Sequence, residues 1–420
     1  MTTIGSISRA LLIILAIAII TALAQAPAQP HVTLREVDSP AAPGSGEPNL
    51  YATADGRVFL SWVEPAGEKG HAQRFSVRTG AGWSVPRTVA GGPDWFINWA
   101  DFPSLVSLPD GSLVAHWLVK SGDGTYAYNI NIARSPDGGK TWSRPIVPHR
   151  DGTQTEHGFV SILPWAGKGA GIVWLDGRKF TSKEHGHGGH GSATDEMTLR
   201  FTTLDSKGQF SDEVLLDPRV CDCCQTSAAV TSEGPVVVYR DRSEKEVRDI
   251  SIVRFRGGRW AEPQPISGDG WEIQGCPVNG PSVAADGRRV AVAWFTGAGG
   301  TPRVKVAFSN DAAATFGQPI QVDDGSPMGR VQTLLLADGS ALVSWMERGP
   351  KGAEVKARRV RPDGSTGQAV TVAESSSARS SGFPRMARAG EEVIFAWTQP
   401  GDPSKVRTAV AKVADLTRVK

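Results

Sequence analysis

The sequence predicts an all-β protein: a β-propeller of four-stranded blades, with seven repeats counted and the ring closed by an N-terminal strand. Two observations carry this. One is a recurring strand ending in a large aromatic: Val58–Trp62, Leu113–Trp117, Gly171–Trp174, Val236–Tyr239, Val290–Trp294, Leu342–Trp345 and Val393–Trp397. These aromatics stand 55, 57, 65, 55, 51 and 52 residues apart, and a period near fifty marks a propeller or array. The other is punctuation. The 48 Gly and 28 Pro are scattered between short apolar runs, which fits many turns and excludes a helical solenoid or a low-complexity linker.

The elements follow in order. Arg9 precedes an apolar run, Ala10 to Ala24, shorter than the about 20 residues of a membrane span. Ala22-Leu23-Ala24 supplies a small-x-small cleavage pattern. Residues 1–24 are therefore expected to be a signal peptide, and 25–420 one exported domain, periplasmic or secreted, with no membrane insertion after cleavage. His31–Val37 has no partner of its own. It is expected to supply the fourth strand of the last unit, which runs out of chain near Val413, and so to close the ring and protect its edges.

The second unit shows the repeat: strands at 103–108, 113–119, 128–133 and a short 142–147, with Asp110-Gly111 at the first hairpin, a pair that tolerates positive φ. Asp55-Gly56, Asp286-Gly287 and Asp338-Gly339 repeat that turn. A long insertion, 180–196, accounts for the spacing of 65. The 45 basic and 43 acidic residues nearly balance, so charge gives no reason to expect nucleic acid or an anionic membrane as partner.

Ser135-Pro-Asp-Gly-Gly-Lys-Thr-Trp142 fits the Asp-box pattern Ser-x-Asp-x-Gly-x-Thr-Trp, and Ser309-Asn-Asp-Ala-Ala-Ala-Thr-Phe316 is a worn copy. With the repeat, these motifs make the chain resemble the sialidase (neuraminidase, BNR-repeat) superfamily. The resemblance implies a six-bladed ring as the alternative count. It also implies an anionic glycan or small acid at the central mouth, and exo-glycosidase chemistry using three Arg, a Tyr nucleophile with its Glu, and an Asp acid. The sequence departs from that pattern in two places. Glu47-Pro-Asn-Leu50 stands where the first Arg belongs, and Tyr51, Tyr126, Tyr128 and Tyr239 leave the last 181 residues without a Tyr.

The inner strands of a propeller begin near its axis, so the residues just before them converge. Here these are Glu47, Asp101, Glu156-His157, Cys221–Thr226, Cys276–Asn279, Arg330 and Arg385. The exits of the second strands add Glu64, Asp176, Arg178, Arg240, Asp241, Arg242 and Glu347. Asp101 is the candidate acid, and Arg178, Arg240, Arg242 and Arg330 are the candidate anion-binding forks. Cys221, Cys223, Cys224 and Cys276 admit three readings. They are disulfides pinning the fourth and fifth blades, a thiolate site for copper or zinc joined by His157, or an exchangeable redox pair. His185, His187 and His190 in the insertion form a Gly-spaced tract of metal-binding type. A protein partner, with the propeller as scaffold, is the remaining alternative.

Overall fold

A computed structural model describes residues 34–80, 82–167, 169–180 and 196–416. The expected leader and His185, His187 and His190 lie outside the described residues. Among the described residues no helix is long and apolar enough to cross a membrane.

The strands form seven antiparallel sheets, the blades of a seven-bladed propeller; the six-bladed count is corrected. The inner strands of blades 1 to 7 are Gly46–Ala52, Ser104–Ser107, His157–Trp165, Ser227–Thr231, Ser282–Asp286, Pro327–Leu335 and Arg385–Ala389. The second strands are Val58–Ala66, Leu113–Lys120, Gly169–Asp176, Gly234–Arg240, Arg289–Thr296, Ala341–Gly349 and Glu392–Gln399. Each inner strand packs on that of the next blade, and blade 7 packs on blade 1. Arg35–Val37 pairs with Lys405–Lys412 of blade 7, with Arg35 opposite Val410, Glu36 opposite Ala409 and Val37 opposite Thr408. The N-terminal strand thus completes the last blade, as expected. Blade 2 differs from expectation: it has three strands, and the expected fourth is reduced to a single bridge between Ile132 and Ile146.

The core is seven apolar wedges, one between each pair of neighbouring blades. A second strand is therefore buried on both faces, and it reads as a continuous apolar run rather than an alternating one. In Val58-Phe-Leu-Ser-Trp-Val63, Leu60 and Trp62 face blade 7 while Phe59 and Val63 face blade 2. The repeated aromatic always faces the preceding blade: Trp117 packs toward blade 1, Trp174 toward blade 2, Tyr239 toward blade 3, Trp294 toward blade 4, Trp345 toward blade 5 and Trp397 toward blade 6. One wedge-filling side chain per blade is the origin of the sequence period.

A buried indole N–H needs an acceptor, and the residue two places on lies on the same strand face. Trp62 donates to Glu64 at 2.7 Å, Trp174 to Asp176 at 2.8 Å, Trp345 to Glu347 at 2.8 Å and Trp397 to Gln399 at 3.4 Å. Neighbouring cations hold the three acids as well: Arg74 at 3.0 Å from Glu64, Arg178 at 2.6 Å from Asp176 and Lys356 at 3.3 Å from Glu347. The strand-exit acids therefore belong to their own blades.

Candidate functional site

The segment before blade 2 crosses the axis. Gln225, from the loop into blade 4, donates to Ala100 O at 2.5 Å. Trp99 stacks on Phe383 of the loop into blade 7 at 5.9 Å, Arg330 of blade 6 sits 4.8 Å over the Trp99 ring, and Arg385 of blade 7 sits 5.2 Å over Phe102. Groups from opposite sides of the ring meet this segment, which places it at the centre.

Around it the inner strands start with a shared distortion. Glu47, Phe159 and Arg330 have φ of 54°, 53° and 55°, in the left-handed region that non-glycine residues rarely adopt. Each sits at a bulge in blade 1, 3 or 6, directly after Gly46, Gly158 or Gly329. A residue from the preceding blade's start holds two of them. Asp101 Oδ1 accepts the Phe159 N–H at 2.8 Å, and Asn279 Oδ1 accepts the Arg330 N–H at 2.7 Å. A Cβ at Gly158 would overlap Asp101, and one at Gly329 would overlap Asn279, so glycine is required beneath each acceptor.

Asp101 is thus a bulge-holding group, with its other oxygen accepting from Tyr128 Oη at 2.7 Å. Burial pushes its carboxyl up to about 7, against the lowering effect of these two bonds. Glu156 Oε1 lies 3.0 Å from the same Tyr128 oxygen. Burial first, then the charge of Asp101, raises both Glu156 and Glu47 well above the carboxylate range. A phenol has one hydrogen to give. A protonated Glu156 donating to Tyr128, which donates to ionised Asp101, satisfies all three groups. Tyr128 and Asp101 are buried, while Glu156 at the other end is only partly buried.

The four Arg candidates do not converge as free forks. Arg178 spends its guanidinium on Asp176 and Glu213, at 2.6 and 2.7 Å. Arg240 is buried against backbone carbonyls, with Asn279 O at 2.8–2.9 Å, Arg248 O at 2.6 Å and Phe295 O at 2.7 Å. Arg242 pairs with Glu246 at 2.8 Å. Arg330 binds Ser381 Oγ at 2.6 Å and Gly382 O at 2.8 Å, and burial pulls it down to about 10. Buried donors must be satisfied, and the chain's own carbonyls and acids do so here.

His157 does not join the thiols, which corrects that expectation. Its Nδ1 lies 3.1 Å from Thr155 O and its Nε2 3.2 Å from Asp151 Oδ2, and its ring stacks on His149 at 3.7 Å. His149, Asp151 and His157 bring three ligand atoms together, but the Arg178 guanidinium stands 3.3 Å from the same Asp151 oxygen. That carboxylate is the only anionic ligand of the set, the other two being imidazoles, and Arg178 already neutralises it.

The thiols form the unusual group. Cys221, Cys223 and Cys224 lie in the loop from blade 3 into blade 4 and are buried. Their sulfurs stand 3.5, 3.8 and 3.9 Å apart. All four cysteines are free in the structure, at separations beyond the about 2.0 Å of a bonded pair. Cys276, exposed, comes from the loop into blade 5 and lies 3.9 Å from Asp222 Oδ1. Two N–H groups point at sulfur: Arg248 Nη1 at 3.3 Å from Cys221 and Asn279 N at 3.4 Å from Cys224. Burial opposes charge on Cys221. Hydrogen bonds from Cys223 and Cys224 and the nearby Arg248 and Arg240 outweigh it and hold this thiol well below its usual range, while burial raises Cys223 and Cys224. Three buried sulfurs, with Cys221 the one most favoured to ionise, and a guanidinium beside them make a compact thiol cluster.

Sequence reasoning passed over Tyr128 and His149. Tyr128 opens a strand and reads as core. Its signal was the pair Asp101 and Glu156, which occupy matching positions in neighbouring units and flank it in the chain.

No protein-family model matches the chain, and no curated protein matches it. Among solved structures, the chain is similar to a protein of unknown function from Dyadobacter fermentans DSM 18053, at 14% identity and a TM-score of 0.52, over 90% of this chain and 98% of that one. A leech intramolecular trans-sialidase is 11% identical with a TM-score of 0.49, over 92% of each chain. The NanB sialidase of Streptococcus pneumoniae, in its K499G variant, is 11% identical with a TM-score of 0.47, over 86% of this chain and 84% of that one. At such identities the likeness is one of fold.

Proposed function

We propose that the protein is an exported binder of a soft metal ion, Cu(I), held by Cys221, Cys223 and Cys224. The observation that carries this reading is the sulfur triangle, with edges of 3.5–3.9 Å. Metal–sulfur bonds of about 2.3 Å place ligands about 3.8 Å apart in a tetrahedral site and about 4.0 Å apart in a trigonal one. Three sulfurs, with no fourth Cys, His, Asp or Glu in the group among the described residues, favour an ion content with three soft ligands over Zn(II), which takes four. Arg248 and Arg240 balance the thiolate charge. The apolar run at residues 10–24 supports export.

The test is metal content. Tag-free, fully reduced protein is loaded anaerobically with Cu(I), desalted and analysed. Retention of copper by the wild type, lost in the Cys221→Ala/Cys224→Ala protein, supports the reading; wild type that retains none refutes it.

A second reading, an anionic glycan or small acid near the axis, is favoured by Arg385. Its Nε is buried without a hydrogen-bond partner, and burial pulls the group down to about 10, so a buried donor is left for a ligand. Release of a fluorescent aglycone from a sialoside, and binding of sialic acid lost in Arg385→Met, would support it. Zero turnover together with zero binding would remove it.

A further inference from the structure

Cys223 belongs to two sets of ligand atoms at once. With Cys221 and Cys224 it forms the buried triangle. With Asp222 and Cys276 it forms a second set, and within each set all ligand atoms lie within 4.8 Å of one another. We propose that Cys223 bridges two Cu(I) positions, an inner one at Cys221, Cys223 and Cys224 and an outer one at Asp222, Cys223 and Cys276, and that the ion reaches the inner position through the outer. This rests on the metal reading above and adds a route and a stoichiometry to it.

Three observations set the direction of travel. The first is exposure: Cys276 is exposed, whereas Cys221 and Cys224 are 0% and 1% exposed. An ion or its carrier meets Cys276 first. The second is ligand softness. The outer set offers two sulfurs and a carboxylate oxygen, the inner set three sulfurs, and Cu(I) prefers sulfur. The outer position is therefore the weaker and faster-exchanging one. The third is that the same two groups face both sets. Arg248 Nη1 reaches Cys221 Sγ at 3.3 Å and Asp222 Oδ1 at 3.1 Å. The loop that carries Cys276 also sends the Asn279 N–H to Cys224 Sγ at 3.4 Å. One guanidinium and one loop thus hold both positions in register.

The inward step is a ligand exchange without electron transfer. Copper–sulfur bonds form to Cys221 and Cys224, the bonds to Cys276 and Asp222 break, and the bond to Cys223 persists throughout. Cys221 binds as the thiolate, Cys224 gives up its proton to water on binding, the released Cys276 thiolate takes one up from water, and the copper stays Cu(I).

The experiment is an anaerobic Cu(I) titration of reduced, tag-free protein against a colorimetric Cu(I) chelator. Circular dichroism confirms that each variant is folded. The wild type is expected to bind two equivalents, the second at least tenfold more weakly. Cys276→Ser, at an exposed position, keeps the tight equivalent, loses the weak one and takes up copper from the chelator at least tenfold more slowly. Cys224→Ser keeps the weak equivalent and loses the tight one, and Cys223→Ser weakens both. If Cys276→Ser matches the wild type in both stoichiometry and uptake rate, the bridged route is overturned while a single thiolate site stands. If the wild type binds no copper, both readings fall.

Discussion

Replacing Asp101 by Asn tests the buried proton network directly. The carboxyl rises from an ordinary 3.8 to about 7, with burial as the main cause. The folded state therefore holds this proton more tightly than the unfolded chain does. The resulting stabilisation is fully present below pH 3.8, declines as pH rises, and is gone above about 7. The whole span corresponds to about 4 kcal/mol. Asn removes the titration and keeps the bonds. Its Oδ1 still accepts the Phe159 N–H and its amide donates to Tyr128, which turns its own hydrogen to Glu156. The chain already contains this solution, because Asn279 holds the matching Arg330 N–H at 2.7 Å. Urea unfolding followed by Trp fluorescence, at pH 4.5 and at pH 8, measures the difference; these two values are about the ends of the window. D101N is expected to match the wild type near pH 4.5 and to exceed it by about 2–4 kcal/mol at pH 8. An equal difference between the two proteins at both pH values would falsify the buried-proton argument.

Three other outcomes follow from the packing. Ser135→Ala removes the acceptor of the buried Gly139 N–H, 2.7 Å away, and is expected to cost about 1–3 kcal/mol in urea unfolding; Ser309→Ala, which frees the Ala313 N–H in the matching turn, is expected to cost the same. Trp345→Ala opens the wedge between blades 5 and 6 and is expected to cost about 3–5 kcal/mol. Trp345→Phe keeps part of the packing but loses the bond to Glu347 and leaves a smaller cavity, and is expected to cost less, about 1–3 kcal/mol in the same assay. Deleting residues 34–38 exposes the edge of Lys405–Lys412; proteolysis is expected to begin in blade 7, and first cleavage in another blade would count against closure by this strand.

The fold was legible because one large side chain per blade fills one wedge, so the geometry of the ring is written once in every unit. Closure was legible too, since His31–Val37 lacked a local partner. The site was legible only where it is local. Cys221, Cys223 and Cys224 are neighbours in sequence and stay neighbours in space, with Cys276 reaching Asp222. His157 was misread because the bulge at Gly158 and Phe159 sets the course of the strand start, and Asp151 and His149 take the ring to their own side. The Arg forks were misread for another reason. A sequence shows a guanidinium but not the carbonyls of Asn279, Phe295 and Gly382 that the loops fold around it.

The ring-closing strand also imposes an order in time. Thr408 Oγ1 donates to Val37 O across 371 residues, so the first-made part of blade 7 waits for nearly the whole chain to be synthesised. Until then Arg35–Val37 is an unattached strand, and the last hairpin, once made, is a bare edge. Strand edges left open during folding are where chains join to one another. The interval between making the two halves of blade 7 is therefore the period of greatest risk for this protein. Expression conditions that shorten it, or a chaperone that covers the waiting strand, should raise the yield of closed rings more than any stabilisation of the finished core.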